Sequence, residues 1–467
     1  MRVDANLGRF VISAPGFSQA SAGELGATSL NSSEIEASAQ ALATDLRAAG
    51  ALPNEPVVLF VSNRPQDVIG FLGIWLAQCV AAPIHVVTPE QAAHSLIARL
   101  GARFVIRAGQ LETIANVAPP MRPLLEGAAL IVFTSGSTGQ PKGVVVRHEG
   151  LRWKLQVLQQ LIGLTTEDDV VVPLQLTFIF GIWVSLLSLL AGARLQLTSK
   201  FSTTAFTASG ATVLAAVPTL LRTLCTDGCI NAPRLRTILT GGEPFGATLA
   251  EKLASLVPGA GVFDLFGLTE TGSCDFCVKP ADYPAARGTI GRPTDGVSFR
   301  IAETPELGLS AGVGELQIRT PAVMAGYLDD SDQTAAAFVD GFFRTGDLAT
   351  VRDDGYVQLV GRSKDVISRG GNKIAPLEVE SLFAGHEGVS ATLAFGVPDD
   401  RLGERIHLMV VARDRNLTED ELREWAKTRL ERYKTPDVFH FVAELPAGRT
   451  GKADRAAARM SLKQSTS

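Results

Sequence analysis

Residues 128–147 read AALIVFTSGSTGQPKGVVVR, which is a polar loop between two apolar runs. The runs Ala129–Phe133 and Val144–Arg147 predict two strands, and the segment Thr134–Gly143 joins them. Its glycines permit close backbone approach to a ligand, its hydroxyl and N–H groups donate hydrogen bonds, and Lys142 adds positive charge. These properties suit phosphate oxygens, although the loop differs from the Gly-Lys-Ser/Thr loop of strand-to-helix junctions. A polar hairpin tip has the same composition, so the loop by itself leaves both interpretations open.

Short apolar strands alternate with helical patterns on both sides of this loop. Upstream, the strand pattern Pro56–Val61 is followed by a helical pattern at Asp67–Val80 and a second strand pattern at Ala81–Val87. Downstream, Arg194–Leu197 and Gly261–Phe266 are among further buried strand patterns. This alternation predicts an α/β fold with a largely parallel sheet covered on both faces and with ligands bound at the carboxyl ends of its strands.

The second half of the chain has a different character. After about Gly288 the pattern favours antiparallel strands and turns, and the last part is more charged, with helical patterns at Pro376–Ala384 and Thr418–Tyr433. With 467 residues the chain exceeds what one hydrophobic core usually serves. We therefore predict a large amino-terminal domain of layered α/β subdomains plus a β-rich subdomain at residues 1–363, and a small α+β carboxyl-terminal domain at residues 364–467.

Composition and charge exclude several classes of protein. Hydrophobic residues make up 46% and charged residues 19% of the chain, as in globular enzymes. The net charge of -5, without a block of like charge, argues against nucleic-acid binding. The longest apolar run, Phe178–Gly192, is too short to span a bilayer. Because charged residues also interrupt the amino terminus where a secretory signal is apolar, we expect a cytoplasmic protein.

The cysteines are few and odd in number, which favours free thiols in a reducing compartment. Cys225/Cys229 and Cys274/Cys277 have spacings that could chelate zinc if the two pairs met in space. Packing as small apolar residues is the simpler interpretation. The six histidines form no paired ligand motif, so we do not expect a catalytic zinc site.

Thr134–Gly143 resembles the phosphate loop of the adenylate-forming superfamily, which includes acyl-CoA synthetases, peptide-synthetase adenylation domains and luciferases. Further segments resemble this family's other motifs, in the same order and with similar spacing from about residue 55 to 455: Gly241-Gly242-Glu243-Pro244, Phe266-Gly267-Leu268-Thr269-Glu270, Phe343-Arg344-Thr345-Gly346-Asp347, Gly361-Arg362-Ser363-Lys364-Asp365 with Gly371 and Pro376–Glu380, and Leu445-Pro446 followed by Gly451-Lys452. The resemblance implies the family's two-domain α/β fold, with a mobile carboxyl-terminal domain, and its chemistry.

The resemblance also implies an ATP site with Mg²⁺. Glu270 would bind Mg²⁺, which prefers hard carboxylate oxygens. Phe266 stands where the family usually has tyrosine and offers a flat face to adenine, while Asp347, supported by Arg362, would accept hydrogen bonds from the ribose hydroxyls. Outside their motifs, both carboxylates would be ordinary turn residues. Thr134 and Glu270 would also be catalytic residues at the phosphates, and the remaining implied nucleotide-binding residues are Ser135, Gly136, Ser137, Thr138, Gly139, Lys142, Gly242, Glu243, Gly267 and Thr269.

Lys452 is the implied main catalytic residue. An ammonium at the α-phosphate stabilises the charge that develops as the substrate carboxylate attacks. In the family the small domain first brings this lysine to the adenylation site and then rotates about a hinge, here Lys364, to open a thiol path that Gly371 would line. Without the resemblance, Lys452 is an ordinary lysine near the end of the chain.

The resemblance implies an acid pocket at Phe178, Ile179, Gly241 and Gly272. Ile179 aligns with the aspartate of relatives that activate α-amino acids, and an apolar residue leaves a substrate ammonium without a counter-charge. We therefore expect an aryl or medium-chain carboxylic acid rather than an amino acid. A one-residue shift of the alignment in this helix would assign the position to a neighbour.

The predicted function is ATP-dependent activation of a carboxylic acid to an acyl adenylate, followed by transfer to coenzyme A, by a monomer or homodimer that uses ATP, Mg²⁺ and coenzyme A. The acceptor could instead be the pantetheine of a carrier protein acting in trans, or an amine, because the first step is the same. A different class would be a non-catalytic acyl or nucleotide sensor. The presence of Lys452, Glu270 and Asp347 argues against a sensor.

Overall fold

The structure is a computed structural model that describes residues 6–27, 29–117, 119–134, 141–226, 232–309, 311–414, 416–446 and 454–465. The chain divides into two compact units. Unit 1 comprises Met1–Ser298 and Arg319–Phe343, and unit 2 comprises Phe299–Ile318 and Arg344–Ser467. Both mix helices and strands, which confirms the predicted α/β class. The boundary predicted at residues 363/364 marks the start of the predicted mobile domain, and it stays a prediction.

The helices of the described residues are α1 Leu7–Ile12, α2 Ser32–Ala48, α3 Pro65–Leu76, α4 Glu90–Leu100, α5 His148–Ile162, α6 Ile179–Ala191, α7 Thr203–Ala208, α8 Pro218–Thr226, α9 Ala247–Leu256, α10 Ser331–Ala336, α11 Pro376–Ala384, α12 Glu419–Lys427 and α13 Arg455–Ser465. None of these described helices is long and apolar enough to cross a membrane.

The strands of the described residues are β1 Ser21–Glu24, β2 Ser29–Asn31, β3 Pro56–Val61, β4 Val80–His85, β5 Phe104–Arg107, β6 Gln110–Thr113, β7 Ala128–Thr134, β8 Lys142–Arg147, β9 Asp169–Val172, β10 Arg194–Leu197, β11 Val213–Ala216, β12 Thr237–Gly241, β13 Gly261–Phe266, β14 Phe276–Val278, β15 Arg292–Pro293, β16 Ser298–Glu303, β17 Gly314–Arg319, β18 Gly326–Tyr327, β19 Phe338–Val339, β20 Phe342–Val351, β21 Val357–Arg362, β22 Ile367–Arg369, β23 Asn372–Ile374, β24 Val389–Asp399, β25 Gly403–Ala412 and β26 Val438–Phe441.

Unit 1 contains a nine-stranded sheet in the order β15-β14-β13-β12-β11-β9-β10-β1-β2. The strands from β13 to β1 in this order run parallel. All residues of β11 and β12 are buried, as expected for parallel strands with helices over both faces. Gly241 pairs with Leu265 at the carboxyl ends of β12 and β13, so the two glycine-rich motifs that follow begin side by side.

Unit 1 also contains a seven-stranded sheet in the order β18-β8-β7-β4-β3-β5-β6. Its central strands β3, β4, β5 and β7 pair in parallel, and antiparallel hairpins flank them on both sides. Helix α3 is buried at nearly every position, and the indole of Trp75 donates a hydrogen bond of 2.7 Å to the carbonyl of Ala129 on β7. This sheet therefore holds the start of the predicted phosphate loop in a packed core.

Unit 2 has its own core around the sheet β23-β22-β25-β24, with β26 pairing in parallel with β25. Val379 and Phe383 of α11 pack with Leu422 of α12 against the sheet in one cluster. Helix α13 contributes Ala458 to a separate cluster with Phe395 and the neighbouring strand residues. The hairpin of β20 and β21 also belongs to this unit, apart from the first two residues of β20.

Most predicted elements agree with the structure, but the helical pattern predicted at Asp67–Val80 was too long, because α3 ends at Leu76 and Val80 begins β4. The patterns at Pro56–Val61 and Pro376–Ala384 coincide with β3 and α11. The helical pattern predicted at Thr418–Tyr433 was too long, because α12 ends at Lys427 and a separate short 3₁₀ helix follows at Arg432–Lys434. Thr418 begins α12 with a capping box, but helical spacing of apolar residues continues across a break that periodicity does not detect.

Candidate active site

The predicted phosphate loop joins two antiparallel neighbours in the sheet. Thr134, the last residue of β7, pairs in register with Lys142, the first residue of β8. This confirms that the segment connects two strands. The six residues between Thr134 and Pro141 lie outside the described residues, so the roles predicted for Ser135, Gly136, Ser137, Thr138 and Gly139 stay predictions.

Tyr327 links this loop to Glu270. Its strand β18 pairs antiparallel with β8, and the Nζ atom of Lys142 lies 5.1 Å from the centre of the Tyr327 ring. The Tyr327 hydroxyl donates a hydrogen bond of 3.1 Å to Oε1 of Glu270. Burial, with a contribution from Glu270, raises the pKa of Tyr327 well above its usual value, so the hydroxyl stays protonated. A cation, an aromatic donor and a carboxylate are thus assembled from three separate segments.

The loop that carries Glu270 is closed tightly at its base. It starts at Phe266, the last residue of β13, and the N–H of Asp275 returns to the Phe266 carbonyl at 2.7 Å. Gly267 is required because a Cβ atom there would overlap the backbone nitrogen of Cys274. Gly272 has a φ of +79°, and its Cβ would lie 2.8 Å from the side chain of Ala322. The two glycines therefore set the path of the loop.

A fully buried ion pair lies beneath this loop. The Nζ atom of Lys154 is 3.2 Å from Oδ1 of Asp275, and both side chains have 0% exposure. Oδ2 of Asp275 accepts a short hydrogen bond from the Thr271 hydroxyl, while Lys154 also donates to the carbonyl of Cys274 at 3.2 Å. Burial raises the pKa of Asp275, and the Lys154 ammonium opposes that rise. Because α5 follows β8 directly, the pair joins the phosphate-loop segment to the Glu270 loop.

Sequence reasoning missed Tyr327, Lys154 and Asp275. A signal for Lys154 was present, since it occurs on α5 at helical spacing from the apolar residues Leu151 and Leu158 and so falls on the buried face. Tyr327 and Asp275 had no comparable signal, because the contacts that give them meaning come from segments far away in the chain.

The nucleotide-binding residues predicted around β12 and β13 have defined positions in unit 1. The half-buried ring of Phe266 packs edge-on against Phe276 with 6.1 Å between centroids. Gly242 has a positive φ of 83° directly after β12. The Glu243 carboxylate accepts hydrogen bonds from the N–H and hydroxyl of Thr219, at 3.0 and 2.6 Å, and so holds the first turn of α8. Thr269 lies with Glu270 in a short 3₁₀ helix.

The predicted acid-pocket residues differ in exposure. Phe178 precedes the first residue of α6 and is 40% exposed, which is unusual for a large aromatic side chain. Ile179, the first residue of α6, is 4% exposed and packs in the main core cluster of unit 1. Gly241 is buried at the end of β12, where a Cβ would overlap the Leu265 carbonyl. Their roles toward a substrate stay predictions.

In unit 2, Asp347 is buried, and within the described part of the chain only one of its two carboxylate oxygens has a hydrogen-bond partner. Nε of Arg362 donates to Oδ1 at 2.8 Å across the β20–β21 ladder, where the two residues are paired in register. Oδ2 is buried and has no hydrogen-bond partner among the described residues. Burial raises the pKa of Asp347, and Arg362 opposes that rise. A free acceptor atom in this setting fits a ligand that brings hydroxyl donors, such as a ribose.

The remaining predicted residues lie in or beside the carboxyl-terminal part of unit 2. Lys364 is exposed in a short 3₁₀ helix, Ser363–Asp365. Gly371 lies in the turn between β22 and β23 with a φ of +82°. Lys452 lies outside the described residues, so its catalytic role stays a prediction. Among the described residues there is no group of three or more His, Cys, Asp or Glu side chains that could hold a metal ion.

Comparisons with known proteins identify the family. The model of the AMP-binding enzyme family matches residues 16–126 and 114–328, and that of the AMP-binding enzyme C-terminal domain matches residues 378–452. The chain belongs to the AMP-binding enzyme family. This membership confirms the resemblance to adenylate-forming enzymes and the prediction of an AMP-forming acid–thiol ligase.

Individual members of the AMP-binding family match along almost the whole chain. A feruloyl-CoA synthase from Amycolatopsis is 32% identical over 460 residues, covering 91% of this chain and 93% of that protein. An oxalate–CoA ligase from Arabidopsis thaliana is 29% identical over 468 residues, covering 90% of each. The crystal structure of ATP-bound MatB from Rhodopseudomonas palustris superimposes with a TM-score of 0.87 at 23% identity, covering 99% of this chain and 100% of that one. This last match confirms the fold.

Proposed function

We propose that the protein converts a carboxylic acid and ATP to an acyl adenylate and pyrophosphate, and then transfers the acyl group to the thiol of coenzyme A with release of AMP. The observation that carries the proposal is Oδ2 of Asp347, a buried carboxylate oxygen without a partner among the described residues. An unsatisfied buried acceptor costs about 1–3 kcal/mol, so its retention favours a ligand that donates to it. The ribose hydroxyls of ATP have the required chemistry.

The charged groups of unit 1 support binding of a triphosphate with Mg²⁺. Lys142 lies against the ring of Tyr327, whose hydroxyl donates to Glu270, so a cation and a carboxylate both interact with one aromatic residue. Glu270 would hold Mg²⁺, which lowers the charge repulsion among the phosphates when bound. Lys142, Thr134 and the hydroxyls of the following loop would bind the phosphate oxygens.

The two half-reactions require different parts of the chain. In the first, Lys452 would stabilise the charge that spreads over the α-phosphoryl oxygens when the substrate carboxylate attacks. In the second, rotation of residues 364–467 about Lys364 would remove the lysine and bring the segment of Gly371 toward the thiol. We propose 363/364 as the domain boundary for this reason.

An aryl acid suits the predicted acid pocket best. Phe178 offers an exposed aromatic face at the start of α6, and the next residue, Ile179, is apolar and buried. Neither residue supplies the carboxylate that an amino acid's ammonium would need. The feruloyl-CoA synthase relative acts on an acid of the aryl class, which supports the same choice.

The first experiment is carboxylate-dependent ATP–pyrophosphate exchange with aryl, fatty, dicarboxylic and amino acids, followed by AMP release with coenzyme A. We expect exchange with an aryl acid and stimulation of AMP release by coenzyme A. Exchange without such stimulation would replace coenzyme A by a carrier protein or an amine as acceptor. Absence of exchange with every acid would contradict the proposed function.

The sharpest variant is Lys452→Ala. We expect pyrophosphate exchange to fall by about 100-fold or more, because the main stabilising charge of the first transition state is removed. Transfer of a chemically prepared acyl adenylate to coenzyme A should stay within about twofold of the wild-type rate. Lys427→Ala, an exposed lysine that pairs only with Glu424 on its own helix among the described contacts, is the matched control and should change neither rate.

A further inference from the structure

Arg455, the first residue of α13, contacts three groups of unit 2 at once. Its guanidinium lies 2.6 Å from Oε1 of Glu380 and 3.3 Å from Oδ2 of Asp365, and its Nε donates to the carbonyl of Ala394 at 2.9 Å. Glu380 belongs to α11, Ala394 to β24, and Asp365 to the short 3₁₀ helix that contains Lys364. One side chain thus joins the start of α13 to three separate elements.

The same end of α13 closes the base of the segment that contains Lys452. The N–H of Asp454 donates to the carbonyl of Pro446 at 2.9 Å, so the two described residues on either side of residues 447–453 are bonded to each other. Oδ1 of Asp454 accepts from the N–H groups of Ala456 and Ala457 at 2.7 and 3.1 Å, which caps α13. The base of the segment is therefore a fixed part of the fold.

Burial makes the contacts of Arg455 selective for a guanidinium. Glu380 is 9% exposed, and burial raises its pKa, which Arg455 opposes. Oε1 of Glu380 also accepts from the N–H of Ala394 at 2.8 Å. A guanidinium has enough donors in a planar fork to serve two carboxylates and a carbonyl together, whereas a lysine ammonium on a flexible stem does not hold that geometry.

Asp365 gives this cluster its connection to the hinge. It follows Lys364 directly in sequence, and its side chain is only 16% exposed where it meets Arg455. Lys452 precedes Arg455 by three residues. The covalent chain therefore keeps the two Cα atoms within about 11 Å of each other.

We propose that Arg455 is a positioning residue for the adenylation half-reaction, fixing the base of the Lys452 segment to the hinge through Asp365 and to α11 through Glu380. The proposal rests on the proposed function, in which Lys452 acts in the first half-reaction only. It assigns the Arg455–Asp365 contact a role in catalysis in addition to its contribution to folding.

Asp365→Asn is the main test, because it removes the hinge link and leaves the Arg455–Glu380 pair to neutralise the buried carboxylate. We expect the kcat of pyrophosphate exchange to fall about tenfold with little change in the KM for ATP, since small misplacement of a catalytic group lowers the rate strongly. Transfer of a prepared acyl adenylate to coenzyme A should stay within about twofold of wild type. Arg455→Lys keeps the charge and should show the same pattern, with a larger fall in the kcat of pyrophosphate exchange.

Arg459→Met is the matched control. Arg459 lies one turn further along α13 and donates to the carbonyl of Gly396 at 2.9 Å, without a described contact to the hinge. In chemical denaturation this variant should lose about as much stability as Asp365→Asn and Arg455→Lys. It should retain the rates of pyrophosphate exchange and of acyl transfer to coenzyme A. Equal loss of both half-reactions in Asp365→Asn and Arg455→Lys, or retention of both, would overturn the inference. If Lys452→Ala itself retained pyrophosphate exchange, the catalytic role of Lys452 would fail instead, and absence of exchange in the wild type would contradict the proposed function.

Discussion

Two aspartates are buried in different surroundings: Asp275 lies under the Glu270 loop of unit 1, and Asp347 lies in the β20–β21 ladder of unit 2. Their carboxylates differ in their hydrogen-bond partners. Asp275 has Lys154 on one oxygen and the Thr271 hydroxyl on the other. Asp347 has Arg362 on one oxygen and no described partner on the other. The first pair is fully enclosed, whereas the side chain of Arg362 is 51% exposed.

This difference in hydrogen-bond partners indicates a structural role for Asp275 and a ligand-binding role for Asp347. A buried carboxylate with a donor on each oxygen has little capacity left for a ligand, and removing one partner of the ion pair leaves an uncompensated charge in the interior. A buried oxygen without a partner destabilises the protein alone and is favoured only when a donor arrives. Asp275 should therefore govern stability, and Asp347 should govern ligand affinity.

The largest effect is expected from Asp275→Ala. It leaves the Lys154 ammonium buried without its partner, so the free energy of unfolding should fall by about 3–5 kcal/mol. Urea denaturation measures the change. The double variant Lys154→Met with Asp275→Leu removes both charges and should recover most of the loss. A single variant as stable as wild type would show that the pair does not hold the loop.

Asp347→Asn should weaken ATP binding rather than stability, and its free-energy effect should be smaller than that of Asp275→Ala. Hydrogen bonds to a charged acceptor contribute about 1.5–3 kcal/mol, so the affinity for ATP should fall about tenfold to hundredfold. Stability should be unchanged or slightly higher, because solvent can take over the exposed Arg362 and a buried charge is gone. Calorimetric titration with ATP and urea denaturation together decide the matter. Clear destabilisation with unchanged ATP affinity would make Asp347 a structural residue.

A pH-dependent effect concerns Asp264 on β13, whose pKa is raised by burial to about 7. Because the folded protein retains this proton more strongly than the unfolded chain, the stabilisation is present below pH about 4 and is lost as the pH rises to about 7. Asp264→Asn should remove this loss, which amounts to a slope of at most about 1.4 kcal/mol per pH unit. Denaturation of both proteins across that range measures the difference.

His148 provides an internal check on this pH profile. Burial lowers its pKa to about 4, so its contribution to stability is present above pH about 6.5 and decreases as the pH falls toward 4. This sign is opposite to that of Asp264, and both proteins retain His148. Identical pH profiles of the wild type and Asp264→Asn would show that Asp264 titrates at an ordinary pKa.

Local sequence predicted the elements well where one physical signal dominates. Six successive apolar residues at Pro56–Val61 can only be a buried strand or part of a buried helix, and the following turn favours the strand that β3 proves to be. The polar segment between β7 and β8 was placed correctly for the same reason. The predicted helix beyond Thr418 failed because its end depends on packing rather than on periodicity.

The sequence by itself determined the family, the α/β class and the order of the motifs, because these depend on residue types at short spacing along the chain. Only the tertiary structure decided which polar residues meet. Lys154 and Asp275 are 121 positions apart, and Tyr327 and Glu270 are 57 apart. Whether an aspartate is fully paired, as Asp275 is, or keeps a free oxygen, as Asp347 does, depends on groups that folding brings from distant segments. Burial makes an unpaired carboxylate oxygen costly, because no water is present to complete its hydrogen bonds.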